Sequence, residues 1–321
     1  MTVNIRRCLL LPLFLLPILS NAQSFSLLTY NCENAFDTID TPRYADEEYL
    51  PGGRLHWTRS RFRRKMHRIA QVVMAADTGK PLDIAVLQEV ESDSVMEHLV
   101  GRTPLRSFGY RYVTGHSDDS RGVRVAILYS PLTFHLLGSQ SFGLDSLWLR
   151  SHRFTPTRDI LHVWGSIPTF DTLDVFGLHL PSKLGGAEAV SKRRTLLRLL
   201  AHHIDSVRAV RQTPLIVVAG DFNDRPRSAV AGMRNLMQHR RLGSYKFRGI
   251  WNWIDQIWVS KELDRRCGGA YDCVEAMRLP ALLEDDEAYG GKKPFRTYYG
   301  PRYHDGYSDH LPVTLKLEFG K

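Results

Sequence analysis

Cysteine is scarce in this chain: four among 321 residues, at positions 8, 32, 267 and 273. No spacing pairs them as a zinc-binding unit would, and so few cannot staple a disulfide scaffold. Cys267 and Cys273 flank a Gly-Gly loop, which leaves a local bridge and free thiols equally open. After residue 19 there is no second long apolar run, so nothing downstream reads as a membrane-spanning helix. Low-complexity tracts and visible repeats are missing, which argues against a disordered chain or a solenoid. Charge of a single sign is also missing. Lys and Arg number 43 against 34 Asp and Glu, for a formal net charge of +9. That surplus attracts polyanions such as nucleic acid, phospholipid headgroups or sulfated sugars without choosing among them.

What is present begins with a targeting pattern. Arg6 and Arg7 precede a nearly unbroken apolar run, Cys8 to Leu19, closed by Ser20-Asn21-Ala22. A short basic start, a short apolar stretch and a small-residue end predict a secretory signal over 1–22, cleaved before Gln23. The run is shorter than the roughly 20 residues a span needs. Gln23 is not a cysteine, so no lipoprotein signal is read. The expectation is an exported protein, periplasmic or secreted, that is monomeric and makes no stable membrane insertion once the signal is removed.

Residues 23–321 alternate short β-branched or aromatic runs with helical stretches, and no linker divides them. Strands are expected at Phe25–Tyr30, Ile84–Leu87, Val123–Tyr129, Ile160–Ile167, Leu173–Leu180, Leu215–Ala219, Ile254–Val259 and Pro312–Leu317. Helices are expected at Trp57–Ala76, with Phe62, Met66, Ile69 and Val73 on one face, and at Glu188–Val210. Arg59, Arg61, Arg63, Arg64, Lys65 and Arg68 cover the rest of the first helix, as an anion grip or, more in keeping with amphipathic helices, a solvated face. Together these elements make one α/β or α+β domain. Residues 264–306 read as a long polar, Gly- and Tyr-rich excursion, and long loops in compact domains tend to be functional.

Polar groups gather at strand ends. Asn31 follows Leu27-Leu28-Thr29-Tyr30, Glu89 follows Ala85-Val86-Leu87-Gln88, and His179 ends Val175-Phe176-Gly177-Leu178. Asp221 and Asn223 follow Ile216-Val217-Val218-Ala219-Gly220, and Asp309-His310 precedes the last strand. A sheet aims short side chains at its strand ends into one crevice. Carboxylates from separate strands suit a hard cation such as Mg²⁺, which takes one or two of them plus water and phosphate oxygens. Asp221 and Asn223 are two apart, so on an extended backbone both would point the same way. The histidines supply groups that titrate near neutrality.

In this order the residues resemble the endonuclease/exonuclease/phosphatase superfamily. The matching stretches are Leu28-Thr29-Tyr30-Asn31, Leu87-Gln88-Glu89-Val90, Gly177-Leu178-His179-Leu180, Gly220-Asp221-Phe222-Asn223-Asp224, Ile254-Asp255-Gln256-Ile257 and Ser308-Asp309-His310-Leu311-Pro312-Val313. The resemblance implies a deoxyribonuclease I-like α+β fold, a four-layer α/β/β/α sandwich of two mixed sheets flanked by helices. It implies a hydrolase of phosphoric ester bonds using Mg²⁺, with Mn²⁺ as an alternative and one or two ions left open. Glu89 would be the principal metal ligand, with Asn31 and Asp309. Asp221 would activate water, Asn223 would steady the phosphoryl group, and His310, paired with Asp255, would contact the scissile phosphate. His179 matches a histidine of the deoxyribonuclease and sphingomyelinase branches. Arg158 sits where a phosphate-binding arginine precedes a strand, or is a surface residue.

The stretch Tyr245 to Trp253 alternates aromatic and basic residues. Tyr245 and Trp251 are expected to touch substrate there, by stacking bases, cradling a sugar or meeting lipid, unless they pack on the scaffold. No extended hydrophobic hairpin of the membrane-inserting sphingomyelinase kind is seen. The leading expectation is a phosphodiesterase acting on nucleic acid. Next come a phospholipid or small-phosphate-ester hydrolase on the same scaffold and a catalytically silent binding protein, against which the intact set of polar residues speaks.

Overall fold

A computed structural model describes residues 23–319 apart from 170, 226–229, 231, 239, 268 and 270–272. The expected signal segment, 1–22, lies outside the described residues. Two six-stranded mixed sheets form the centre. The first runs β13 (Val274–Ala276), β18 (Val313–Phe319), β1 (Gln23–Ala35), β2 (Ile84–Val90), β4 (Arg124–Tyr129), β3 (Arg111–Thr114). The second runs β5 (His135–Phe142), β6 (Ile160–Ser166), β7 (Thr172–His179), β8 (Leu215–Asp221), β12 (Asp255–Ser260), β9 (Met233–Asn235). Each has one parallel pair, β1 with β2 and β7 with β8, and each pair is joined through a helix, α1 (Arg59–Ala75) or α4 (Gly186–Val210).

Strand alternation builds the layers. On β2, Ile84 and Val86 face the other sheet while Ala85 and Leu87 face the helices. On β8, Leu215, Val217 and Ala219 face inward and Ile216 and Val218 outward. These strands are apolar on both faces because both are covered. The inter-sheet core joins Phe25, Leu27, Val125, Ile127, Val163, Val175, Ile257 and Leu315. Helices α1 and α2 (Asp93–Arg102) cover the first sheet, the short α3 (Ser146–His152) follows β5, and α4 covers the second sheet through Leu196, Leu200, Ile204 and Val207. This is the expected four-layer sandwich.

Thr58 caps α1 through its side chain and sets the start two residues later than the pattern suggested. The six cations of that helix are not all solvated, because Lys65 is buried and donates to Thr297 Oγ1 and the Tyr307 carbonyl, both at 2.6 Å. Among its described residues, the excursion over 264–306 holds strands and helix rather than one loop. It holds α5 (Lys261–Arg266), β13, and the hairpins β14 (Leu283–Asp285) with β15 (Lys292–Pro294) and β16 (Tyr298–Tyr299) with β17 (Arg302–Tyr303). Strand β10 (Tyr245–Phe247) and β11 (Ile250–Asn252) form a separate hairpin. Cys32, Cys267 and Cys273 are free thiols. Among the described residues no helix is long and apolar enough to cross a membrane.

Candidate active site

The C-terminal ends of the two parallel pairs meet at one edge of the sandwich. There Asn31, on β1, donates through Nδ2 to Asp221 Oδ2, on β8, at 3.1 Å and ties the two sheets together. A cavity of about 940 Å³ opens at this edge. Its wall includes Asn31, Glu89, Arg158, His179, Asp221, Asn223, Tyr245, Asp309 and His310, so nine of the eleven expected residues converge there. Asp255 lies just behind, accepting from His310 Nδ1 at 2.8 Å and from Ser244 Oγ at 2.5 Å.

Backbone geometry shows why these residue types occur. Gly220 sits at φ 153°, and a Cβ there would fall 2.0 Å from the Leu178 carbonyl oxygen. Only glycine lets β8 approach β7 so closely just before Asp221. Among the described residues, eight that are not glycine have positive φ. Five of them, Glu33, Asn34, Glu89, Asn223 and Arg248, line this cavity. Such strain is typical of functional sites, where the surrounding structure holds it in place.

Asp221 and Asn223 do not share a face of an extended strand. Asn223 turns to φ 49°, its backbone N–H donates to Asp221 Oδ1 at 2.8 Å, and its Nδ2 donates to the Leu180 carbonyl at 3.0 Å. The strand ends at Asp221 and an Asx turn brings Asn223 back to the cavity.

Electrostatics separates the titratable groups. Burial, reinforced by the nearby charge of Asp255, pushes the Asp221 carboxyl up to about 7. Burial opposes a charge on His310, but the Asp255 carboxylate, with Asp309 next, outweighs it and holds the imidazole well above its ordinary value. His179 goes the other way. Burial and then the charges of Arg158 and Arg121 keep it well below its ordinary value, hence neutral. Its Nε2 lies 3.2 Å from Arg158 NH2 and 3.6 Å from Asp221 Oδ2, while its Nδ1 is buried without a partner.

Arg158 is not a surface residue. It is buried, and its NH1 meets Asp119 at 2.5 Å. Asp119 also holds Arg121, 3.6 Å away, and Arg121 donates to Asn34 Oδ1 at 2.9 Å. Two arginines on different loops are thus aimed into the cavity by one carboxylate. Arg296 bridges Glu33 at 3.1 Å and Asp309 at 3.3 Å. Burial, then the Asp309 charge, raises the Glu33 carboxyl. Sequence reading missed Glu33, Arg121, Asp119 and Arg296. Glu33 stands two residues past Asn31, a signal that was there to use, but Arg296 comes from the excursion and carried none.

Trp251 is not on the cavity wall, a correction to its expected role. Register pairs Tyr245 with Asn252, Lys246 with Trp251 and Phe247 with Ile250. Side chains alternate along a strand, so Tyr245, Asn252, Phe247 and Ile250 face the cavity while Lys246 and Trp251 face away. Trp251 packs under the Arg278 guanidinium, 4.2 Å from its ring centre. Tyr245 holds its ring 4.8 Å from that of His310.

Asp221, Asp255 and His310 also offer donor atoms within 4.8 Å of one another, close enough to hold a cation.

A model of the Endonuclease/Exonuclease/phosphatase family matches residues 26–319. Among solved structures, truncated Caenorhabditis elegans TDP2 is similar, with a TM-score of 0.58 and 16% identity over 92% of this chain and 98% of that one. Mannosyl-6-phosphatase Bt3783 of Bacteroides thetaiotaomicron VPI-5482 gives 0.54 and 18% over 91% and 98%. D. rerio TDP2 complexed with a single-strand DNA product gives 0.50 and 15% over 91% and 98%. No curated protein sequence matches significantly.

Proposed function

This chain belongs to the endonuclease/exonuclease/phosphatase family, metal-dependent hydrolases of phosphoester bonds, and on that premise we propose that it is a Mg²⁺-dependent phosphodiesterase. The observation that carries the reading is the pairing of Asp221 with a charged His310 on the wall of a 940 Å³ cavity. That volume is near the top of the roughly 300–1,000 Å³ range of ligand pockets and leaves room for groups on both sides of a phosphorus. Environments that push two groups apart in protonation mark acid and base roles.

Water attacks phosphorus opposite the leaving oxygen. A water–phosphorus bond forms, the ester P–O bond breaks, and Asp221 takes the proton from water; the leaving oxygen departs with the bonding pair and takes a proton from solvent in the open cavity. The His310 imidazolium, Arg158 and Arg121 offset the negative charge that builds on the non-bridging oxygens. Asn223 has one amide hydrogen left for a phosphoryl oxygen.

Two donor sets compete for the metal. Asp221, Asp255 and His310 are almost wholly buried, and the His310 Nδ1 is already engaged by Asp255. Mg²⁺ prefers oxygen ligands and keeps several waters, and that trio brings an imidazole nitrogen in place of a third oxygen. Glu89 and Asp309 are partly exposed carboxylates on the cavity wall, with the Asn31 amide oxygen nearby. This all-oxygen set fits the ion. Bound there, Mg²⁺ would supply Lewis-acid polarisation of the phosphoryl group.

The basic start and short apolar run of residues 1–22 support export, which N-terminal sequencing of the protein recovered from its native source would check. The function is tested with purified protein, Mg²⁺, bis(p-nitrophenyl) phosphate and p-nitrophenyl phosphate. Diester hydrolysis that EDTA and Asp221→Ala both abolish is expected. Turnover of the monoester alone would replace the diesterase reading with a phosphatase.

A further inference from the structure

The floor of the cavity is charged, but its mouth is apolar. Leu184 is 96% exposed, Phe247 55% and Ile250 59%, and all three line the opening. Tyr289, 58% exposed, packs beside Gly249 at the tip of the β10–β11 hairpin. Scattered exposed apolar residues need no explanation, whereas a group of them around one opening does.

Local structure forces the projection. Arg248 at φ 47° and Gly249 at φ 80° make a two-residue turn with both central residues left-handed, the tightest hairpin connection. It sets Phe247 directly across from Ile250 on the cavity-facing side. The other side is anchored, with Lys246 bonded to Asp286 at 2.7 Å and to the Gly290 carbonyl at 2.8 Å. Leu184 stands on the short turn Lys183–Gly185 across the mouth. A side chain so nearly bare lines the edge of the opening and adds little to the enclosure of a small molecule. Only something broad that overlies the rim can cover it.

The charges on the rim suit one such partner. Lys183, Arg225 and Arg248 share it with Asp224. Lys183 pairs with Asp224 at 2.9 Å, but Arg225 and Arg248 have no ion-pair partner among the described residues. Exposed aliphatic and aromatic groups beside arginines that hold no ion pair are what an anionic bilayer surface receives. Single-stranded nucleic acid would use the cations and the Phe247 and Tyr289 rings, but Leu184 and Ile250 present no π-face to a base.

We propose that this rim docks reversibly on an anionic lipid surface, so that the cavity opens onto the bilayer and takes its phosphodiester from a lipid headgroup. The proposal rests on the phosphodiesterase reading of the cavity. Its test does not need turnover. The full chain is sedimented in EDTA with vesicles of phosphatidylcholine alone or of equimolar phosphatidylcholine and phosphatidylglycerol. Wild type should pellet with the anionic vesicles and far less with the neutral ones. Leu184→Ser and the double variant Phe247→Ser/Ile250→Ser should each weaken partitioning by about tenfold, and Arg225→Gln/Arg248→Gln should erase the preference for anionic lipid. All these side chains are exposed, and unchanged near-UV circular dichroism would confirm folding. Wild type that stays in the supernatant, or serine variants that pellet equally, would overturn the proposal. So would binding of oligothymidylate that Phe247→Ser abolishes while vesicles are ignored. Hydrolysis of bis(p-nitrophenyl) phosphate by the same preparation shows separately whether the catalytic reading holds.

Discussion

Replacing Asp255 by asparagine removes the charge that keeps His310 protonated while changing little in shape. In the wild type the Asp255 carboxylate accepts from His310 at 2.8 Å and from Ser244 at 2.5 Å, and its Oδ1 is buried without a partner. Removing one member of a buried ion pair costs about 3–5 kcal/mol. Asparagine still offers an oxygen to both partners, so the lower end, about 3 kcal/mol, is expected at pH 6. Its amide nitrogen then lies where Oδ1 has no partner, and an unmet buried donor costs about 1–3 kcal/mol at any pH. The sign of the pH dependence follows from the raised value of His310. Its unfolded reference is about 6.5. Stability from the charged pair is therefore fully present below that pH and is lost as pH rises through the higher folded value. Urea denaturation of EDTA-treated wild type and Asp255→Asn from pH 6 upward should show a gap that narrows toward about 1 kcal/mol. In the Mg²⁺-loaded enzyme, kcat should fall by about a hundred- to ten-thousand-fold. A stability gap that stays flat or widens with pH, or an unchanged kcat, would refute the assignment of His310 as a cation held by Asp255.

Asp119→Asn should loosen Arg121 and Arg158 together, lowering kcat/KM about tenfold, about 1.4 kcal/mol of transition-state stabilisation, with most of the loss in kcat in steady-state kinetics. Gly177→Ala should cost about 1–3 kcal/mol and lower the melting temperature, because its Cβ would lie 2.8 Å from Val86 Cγ1 and 2.9 Å from Val125 Cγ1 between the sheets. Val86→Ala in the same chain should recover part of that loss. Lys65→Met should cost about 2 kcal/mol in urea denaturation, since Thr297 Oγ1 loses its donor and the Tyr307 carbonyl keeps only the long 3.4 Å bond from Thr297 Oγ1.

Legibility followed apolar pattern. The central strands β2, β4, β7 and β8 are nearly continuous apolar runs because both faces are buried, and all four were readable. Edge strand β5 was not, since most of its residues are exposed or half-exposed and its pattern resembles a loop. The short strands of the excursion were also hidden. Strand β13 forms only against β18, and Thr297, just before β16, is held by Lys65 and Glu33 from distant parts of the chain; no local window contains both ends of such a contact.

The residue types at the strand ends, and their order, were determined by sequence alone. Glycine before Asp221, acids after apolar runs and a histidine before the last strand identify the family and most of the cavity wall. Tertiary structure alone decided which neighbours those residues meet. It turned Trp251 away from the cavity through the hairpin register, buried Lys65, and placed Asp119 between two arginines. It also gave His179 and His310 opposite protonation. The two side chains are chemically identical and both are buried; what separates them is the charge of Arg158 and Arg121 on His179 and the hydrogen-bonded Asp255 carboxylate on His310, neighbours that only the folded chain brings together.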